Sequence, residues 1–387
     1  MKFTVLLPTR NRLSLLRFAV ETVLRQDYDD WEIVISDNSS QEDICGFVDS
    51  LADERVNYVR SEASIPVTDN WNLALSRCSG DYIIMLGDDD GLLPSYFSRA
   101  CELIDAYKHP DVLYTGALLY AYPAVLPDAP DGFVRSYEER SIYQGRKEPF
   151  MLSREDASTF VDASLDFRVT FDYNMQFFLV SRRAVERLQA HGAFYQSPYP
   201  DYYAANALLH VSPSVLIVPT PMVTIGISPK SFGYYYFNNK ESEGTAFLDN
   251  MNADQTIAHL DRVILPGTDM NTCWLMAMET FAFRFGRKAN HKRYREIQIR
   301  TVLAGVLRHR QNRSHALATL RKRVTWQERV RLIWPFFWID MFLPKDRREE
   351  YAAKFMMRSR SHTAANMPLI PGVFTNITKV YDFFTRH

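Results

Sequence analysis

Twenty consecutive apolar residues occur nowhere in this chain. That is roughly the length a spanning helix needs, so a protein integral to a membrane is not expected. The longest candidate, Leu332 to Ile339, is closed by Arg331 and Asp340. The first residues, Met1 to Pro8, are too short for a signal-peptide core and meet Arg10 at once, which points to a cytoplasmic protein. Cysteine is scarce. Cys45, Cys78, Cys101 and Cys273 have neither metal-like nor disulfide-like spacing, which fits a reduced compartment. No charge of one sign prevails. The net charge is -1, so the chain has no global pull toward nucleic acid, and none is expected as a partner. A glycine-rich phosphate loop is missing too, because the first strand closes on Pro8-Thr9-Arg10-Asn11-Arg12. No internal repeat is found. What remains is an ordinary globular balance, 47% hydrophobic and 24% charged, long enough for two domains.

The N-terminal half alternates strands and helices. Phe3 to Leu7 is a short apolar run that reads as a buried strand, and Leu13, Leu16, Val20, Val23 and Leu24 recur at helical spacing. Glu32 to Ser36, Val56 to Val59 and Tyr82 to Leu86 read as further strands, and Trp71 to Arg77 as a helix. Such alternation predicts a parallel sheet with crossover helices. Three loops rich in functional side chains each follow a strand: Thr9 to Arg12, Asp37 to Ser40, and Asp88 to Asp90. In a parallel sheet all three lie along one edge, the edge where open α/β sheets bind ligands. From about Tyr114 to Phe171 the pattern breaks up. It resumes with a strand at Met175 to Val180, a helix at Arg182 to Gln189, another from about Tyr202 to Leu209, and a short strand at Val215 to Val218.

Asp88-Asp89-Asp90 is the most informative feature. Adjacent carboxylates repel, so a divalent cation or a basic partner is the natural way to hold them. A solvated acidic turn is the plain alternative.

In order, the segments Thr4 to Arg12, Val34 to Ser39, Asn72 to Ala74 with Gly80 to Ile83, and Leu86 to Pro94 resemble family-2 glycosyltransferases of the GT-A fold. A weaker match runs from Phe178 through Asp201, and the resemblance covers roughly residues 1–235. It implies a mixed, mainly parallel sheet flanked by helices. It also implies an inverting transfer from a nucleotide-diphosphate sugar, commonly a UDP-sugar, to a glycan or lipid-linked acceptor in bacterial surface polysaccharide synthesis. A nucleotidyltransferase making the activated sugar, or a non-catalytic nucleotide-sugar-binding module, is the alternative.

The resemblance also implies roles. In the family a proline commonly follows the metal-binding aspartate by five residues. Pro94 therefore selects Asp89 as ligand for Mn or Mg, with Asp90 beside it and Asp88 near the ribose or metal-bound water. Gly87 stands where many members carry the first acid. Asp37 falls where the family reads the nucleobase. Pro8, Thr9 and Arg10 close the first strand within reach of base or phosphate, and Asn72 is a further nucleotide-sugar candidate or a hydrogen bond beneath the loop. Asp201 is the expected general base, although Pro200 replaces the family's usual glutamate. A helix N-cap is its plain reading, and Asp172 is held in reserve. The loop with Ser228, Lys230 and Ser231 is a candidate to close over the diphosphate. The Gln-X-X-Arg-Trp motif of processive members is missing, which implies transfer of one sugar or a few.

The expected domains are a catalytic one over 1–235, with its nucleotide-sugar half at 1–110 and its acceptor side at 111–235, and a basic helical region over 236–387. Between Arg284 and Arg331 stand fifteen Lys or Arg against two acids, Glu296 and Glu328. Basic residues beside Trp326 and the Leu332 to Trp338 run fit a peripheral contact with an anionic membrane. Packing or homo-oligomer contact is the competing role.

Overall fold

The computed structural model describes residues 1–125, 131–137, 140–229, 231, 260, 262–266, 269–308, 313–357 and 369–386. The chain forms two compact units. One comprises 1–161, 171–252 and 366–387, the other 162–170 and 253–365. The expected break at 235 lies outside the described residues, but two segments change sides relative to it. Residues 162–170 join the second unit, and the C-terminal segment returns to the first.

The first unit is built on a mixed sheet. Its core is β1 (Phe3–Thr9), β2 (Trp31–Asp37), β3 (Val56–Arg60) and β4 (Tyr82–Met85), in the spatial order β3-β2-β1-β4 with parallel pairing throughout. Every residue of β1 and β2 is buried, as expected of a parallel strand covered on both faces by helices. The flanking helices are α1 (Leu13–Leu24), α2 (Ile44–Leu51) and α3 (Val67–Leu75). The last of these starts earlier than its apolar spacing suggested, because Pro66 stands just before its first turn.

The chain passes from β1 to β2 on one side, while β4 joins on the other. That reversal makes a crevice outside the carboxyl ends of β1 and β4. The pairing Thr9↔Asp37, and the bond from the Leu86 amide to the Leu6 carbonyl, bring the three loops to this one edge.

Beyond β4 come the two-residue β5 (Gly91–Leu92), α4 (Tyr96–Ala106), and β6 (Val112–Ala121). Then follow β7 (Phe133–Ser136), β8 (Phe150–Met151), α5 (Arg154–Leu165) and β9 (Phe178–Ser181). The unit continues through α6 (Arg182–Gln189), α7 (Pro200–Val211) and β10 (Val215–Ile227). Strand β9 runs antiparallel between β4 and β6, while β10 runs parallel to β6 and antiparallel to β5 and β8. The sheet is thus parallel in the half that carries the edge loops and mainly antiparallel beyond it.

Sequence reading placed broken structure from Tyr114 onward, yet β6 occupies ten wholly buried residues there. It also stopped β10 at Val218. The strand continues through Pro219 and Pro221 by shifting register against β6, and Gly116 lets the bulge approach.

The second unit is helical, as expected. It contains α8 (Asp269–Phe285), α9 (His291–Arg308), α10 (Arg313–Arg323), α11 (Trp326–Glu328), a π turn (Arg329–Ile333), α12 (Trp334–Phe342) and α13 (Arg348–Met357). Leu303, Leu307, Leu320, Ile333 and Phe336 lie in its core. After it, β11 (Leu369–Ile370) pairs with the edge of β7, and α14 (Ile377–Arg386) lies on α1. Among the described residues no helix is long and apolar enough to cross a membrane.

Candidate active site

The site grows from the β1 and β4 loops. Pro8 is buried inside β1, and Arg10 is exposed beyond its end. Asn11 adopts φ 53°, a left-handed turn that asparagine tolerates better than most residues. Its amide side chain accepts from the Gln41 N–H at 2.7 Å, tying the first loop to the second. The turn directs the following residue, Arg12, onto the acids. Arg12 Nη1 donates to Asp88 Oδ1 at 2.9 Å and stands 3.8 Å from Asp89 Oδ2. Thr9 Oγ1 donates to the other Asp88 oxygen at 2.8 Å. Burial works against the Arg12 charge, but Asp88, Asp89 and Asp90 together outweigh it and raise the guanidinium pKa. Burial raises the Asp88 carboxyl in turn, and Arg12 pulls it back.

Arg12 is therefore the basic partner of the acids, while the expected Arg10, two residues earlier, stands exposed at the end of the strand. Nothing in the spacing distinguishes the two arginines. The left-handed turn at Asn11 decides between them.

The three acids divide by what they touch. Asp89 Oδ2 accepts from Ser228 Oγ at 2.7 Å, while no hydrogen bond to its Oδ1 is seen among the described residues. Asp90 Oδ2 accepts from the Gly87 N–H at 2.8 Å and Gln176 Nε2 at 2.5 Å, and its Oδ1 accepts from the Gly226 N–H at 2.8 Å. Burial, and then the charge of Asp89, pushes the Asp90 carboxyl up to about 8 against the pull of those donors. Asp90 is thus the anchor of its own turn, with both carboxylate oxygens taken by donors. The Gly87 departure has the same cause, because a Cβ there would lie 2.5 Å from Asp90 Oδ2.

Among the described residues no three His, Cys, Asp or Glu are grouped to hold a metal by themselves. The donor set fits a cation bound mainly by substrate phosphates, with one protein carboxylate oxygen on Asp89. That is how Mg is often held.

The remaining expected residues spread along the edge. Asp37, at the end of β2, is wholly buried and accepts from Tyr58 Oη at 2.8 Å, Arg60 Nη1 at 2.9 Å and the Ser40 N–H at 2.8 Å. It braces the second loop with this network. Asn72 forms a clasp, the hydrogen-bonding alternative expected for it: its amide donates to the Tyr195 carbonyl at 2.9 Å and accepts from the Tyr195 N–H at 3.1 Å. Thr68 likewise holds the Ser197 carbonyl at 2.8 Å. Helix α3 therefore pins the chain that leads into α7, where Asp201 sits.

Tyr199, not Asp201, stands at the cap position of α7. Pro200 and Asp201 fill its first turn, and Asp201 Oδ1 accepts from the Tyr202 N–H at 2.9 Å. Burial pushes the Asp201 carboxyl up to about 7, against that hydrogen bond. Asp172, the reserve, is gripped by Arg140 through both carboxylate oxygens at 2.8–3.1 Å, a poor state for a base. Ser231 folds back on the Ser228 carbonyl, and Lys230 lies outside the described residues. Gln176, in the short helical turn before β9, and Tyr122, just past β6, whose hydroxyl donates to the Asp89 carbonyl at 3.3 Å, come from remote parts of the chain and carry no sequence signal.

A half-parallel α/β sheet with threonine, arginine and acids meeting at its switch point has the arrangement in which open α/β sheets bind ligands. Residues 4–187 match Glycosyl transferase family 2. The putative colanic acid biosynthesis glycosyl transferase WcaA of Escherichia coli (strain K12) is 28% identical over 251 residues, covering 62% of this chain and 81% of that protein. A GalNAc(5)-diNAcBac-PP-undecaprenol beta-1,3-glucosyltransferase of Campylobacter jejuni is 35% identical over 112 residues. That match covers 28% of this chain and 36% of the relative. Among solved structures, S. aureus TarS 1-349 in complex with UDP-GlcNAc covers 97% of this chain and 100% of that one. At 12% identity and a TM-score of 0.47, that likeness is too slight to carry an argument.

Proposed function

We propose that this chain is an inverting, non-processive glycosyltransferase. It moves a sugar from a nucleoside-diphosphate donor, a UDP-sugar in the first instance, to a glycan or lipid-linked acceptor. The observation that carries the reading is the meeting of Thr9, Arg12, Asp88 and Asp89 at the β1/β4 switch point. The Campylobacter relative is named for an undecaprenol-linked acceptor, and an Escherichia coli relative, 26% identical over 87 residues, for UDP-Glc and a diphosphoundecaprenol acceptor. Both names support the substrate class.

In this reading the donor diphosphate lies against the β1/β4 crevice. Asp89 would hold a divalent cation through Oδ1, which takes no hydrogen bond among the described residues, and that cation supplies charge neutralisation for the departing diphosphate. Arg12 and Thr9 keep Asp88 in place, and Ser228 fixes Asp89 from the end of β10. Asp201 takes the proton of the acceptor hydroxyl as that oxygen bonds to the anomeric carbon. The bond from that carbon to the diphosphate breaks, and the nucleoside diphosphate leaves. A carboxyl raised to about 7 suits this task, since a large share is ionised near neutral pH and it is basic enough to hold the proton.

The test is a screen of nucleotide sugars by thermal shift with Mn, followed by analysis of products with and without EDTA. Release of free nucleoside diphosphate, suppressed by EDTA, supports the reading. Formation of nucleoside triphosphate and sugar 1-phosphate when pyrophosphate is added would instead indicate a nucleotidyltransferase, and binding without turnover a non-catalytic module.

A further inference from the structure

The second unit carries an apolar face that its own core does not use. Trp326, Val330, Trp334, Trp338 and Phe342 follow one another at intervals of four residues and are all exposed, from 42% at Val330 to 73% at Phe342. The intervening π turn, Arg329–Ile333, is wider than an α turn and keeps these positions in step. The rings confirm the alignment. Trp326 and Trp334 meet edge to face at 4.9 Å, and Trp338 stacks on Phe342 at 6.4 Å. The stripe is about 24 Å long at 1.5 Å per residue. Leu332, Ile333 and Phe336, on the same segment, are buried in the core. The segment is thus apolar on two faces, and only one is consumed. Isolated exposed apolar residues are ordinary, but a contiguous row marks an interaction surface.

Charge indicates what covers it. Arg321, Lys322, Arg323 and Arg331 are exposed around the N-terminal end of the stripe. The acids nearby are taken. Glu328 is bound by Arg295 at 2.7 and 2.8 Å and by the Thr325 cap, and Asp340 is buried. The far end, Lys345 to Glu350, mixes signs. Tryptophan and phenylalanine in a row beside exposed cations match a helix lying in the headgroup zone of an anionic bilayer.

We propose that the 326–342 face seats on an anionic lipid surface, with its tryptophans at the acyl boundary and the 321–323 cations on the headgroups. If the acceptor is lipid-linked, this brings the enzyme to it. The proposal itself needs no acceptor, so the two readings fail separately.

The experiment is flotation of the full chain with vesicles of phosphatidylcholine, alone or mixed with phosphatidylglycerol, at about 0.1 M and about 0.5 M salt. The chain is expected to float with the anionic vesicles at low salt, several-fold less at high salt, and little with neutral ones. Trp334→Gln/Trp338→Gln/Phe342→Gln should reduce flotation about tenfold while circular dichroism stays unchanged. Lys322→Glu/Arg323→Glu should reduce it chiefly at low salt. Brominated acyl chains should quench the tryptophan emission. No flotation at low salt, or equal flotation of the triple variant, overturns the proposal. So does a full-chain oligomer in light scattering that the triple variant dissolves, which would make this face a contact between copies.

Discussion

Asp89 and Asp201 are set apart by what their neighbours leave open. In the acidic turn, Asp88 and Asp90 are occupied by donors, and Asp89 keeps one oxygen clear of described hydrogen bonds. Asp89→Ala is expected to weaken UDP binding in the presence of Mn by about 10- to 100-fold, the worth of one charge-assisted contact. Residual binding should no longer respond to Mn. Titration calorimetry reads both, and unchanged affinity would remove Asp89 from the site. For Asp201, a carboxyl raised to about 7 makes two expectations. Transfer should rise as pH passes upward through about 7 and then level off, and Asp201→Asn should cost about 10²–10⁴ in turnover while donor binding survives. The stability effect has the opposite sense. Between the ordinary carboxyl value of about 4 and the folded value near 7, the folded chain holds a proton that the unfolded chain has lost. Stability contributed by this group therefore falls as pH rises across that window. Asp201→Asn should melt higher than the parent at pH 8 and alike at pH 4. Equal melting at both values would show that burial does not strain this carboxylate.

Strand β10 shows how an element serves the site without supplying a reacting group. Its end brings Gly226 and Ser228 to the acidic turn, one through its amide and the other through its hydroxyl. A Cβ at Gly226 would fall 1.9 Å from the Asp89 carbonyl oxygen and 2.8 Å from its carbonyl carbon, both backbone atoms that cannot swing aside. Gly226→Ala should therefore destabilise the fold by about 1–3 kcal/mol, as overpacking does. It should also displace Asp89, and the loss of UDP affinity should exceed that of an alanine at an exposed site. A soluble, folded variant with parental UDP affinity would show that β10 does not set the acid geometry. The expected strand, ending at Val218, stops nine residues short of Ile227. Two prolines at Pro219 and Pro221 are an ordinary end-of-strand signal, and only pairing with a long β6 carries the strand through them. The β6 run was itself passed over. Its continuous apolar residues show no alternation, because both faces are buried.

At the scale of the whole molecule, the chain leaves the first unit and comes back to it. Phe374, Ile377, Val380 and Tyr381 bury themselves on that unit, the Tyr120 hydroxyl donates to the Phe374 carbonyl at 2.9 Å, and Arg25 meets Asp382 at 2.6 Å. Four buried side chains at about 1.5–3 kcal/mol each are worth as much as a typical domain's net stability, about 5–15 kcal/mol. Truncation after residue 365 should therefore unfold or severely destabilise the first unit, read as lost cooperative melting and lost UDP binding. A truncated chain that melts and binds as the parent does would show the C-terminal segment to be an appendage.

The sequence by itself determined the alternating strands, the one edge that collects their loops, the acidic turn and the resemblance to a family. Each of these rests on residues close together in the chain: an apolar run, the turn that ends it, and a fixed order of short segments. It also marked Asp89 and Asp201 as the carboxylates to follow, and the basic, aromatic C-terminal stretch. Only the tertiary structure decided which of the neighbouring groups has a partner. Arg12 reaches Asp88 because Asn11 turns left-handed, Asp90 is consumed by amides from Gly226 and Gln176, and Asn72 closes on Tyr195. Those partners lie 76 to 136 residues away, and whether a side chain is open or spent depends on them. Spacing along a chain reports which face a residue shares with its neighbours, but it carries no information about a donor arriving from another strand.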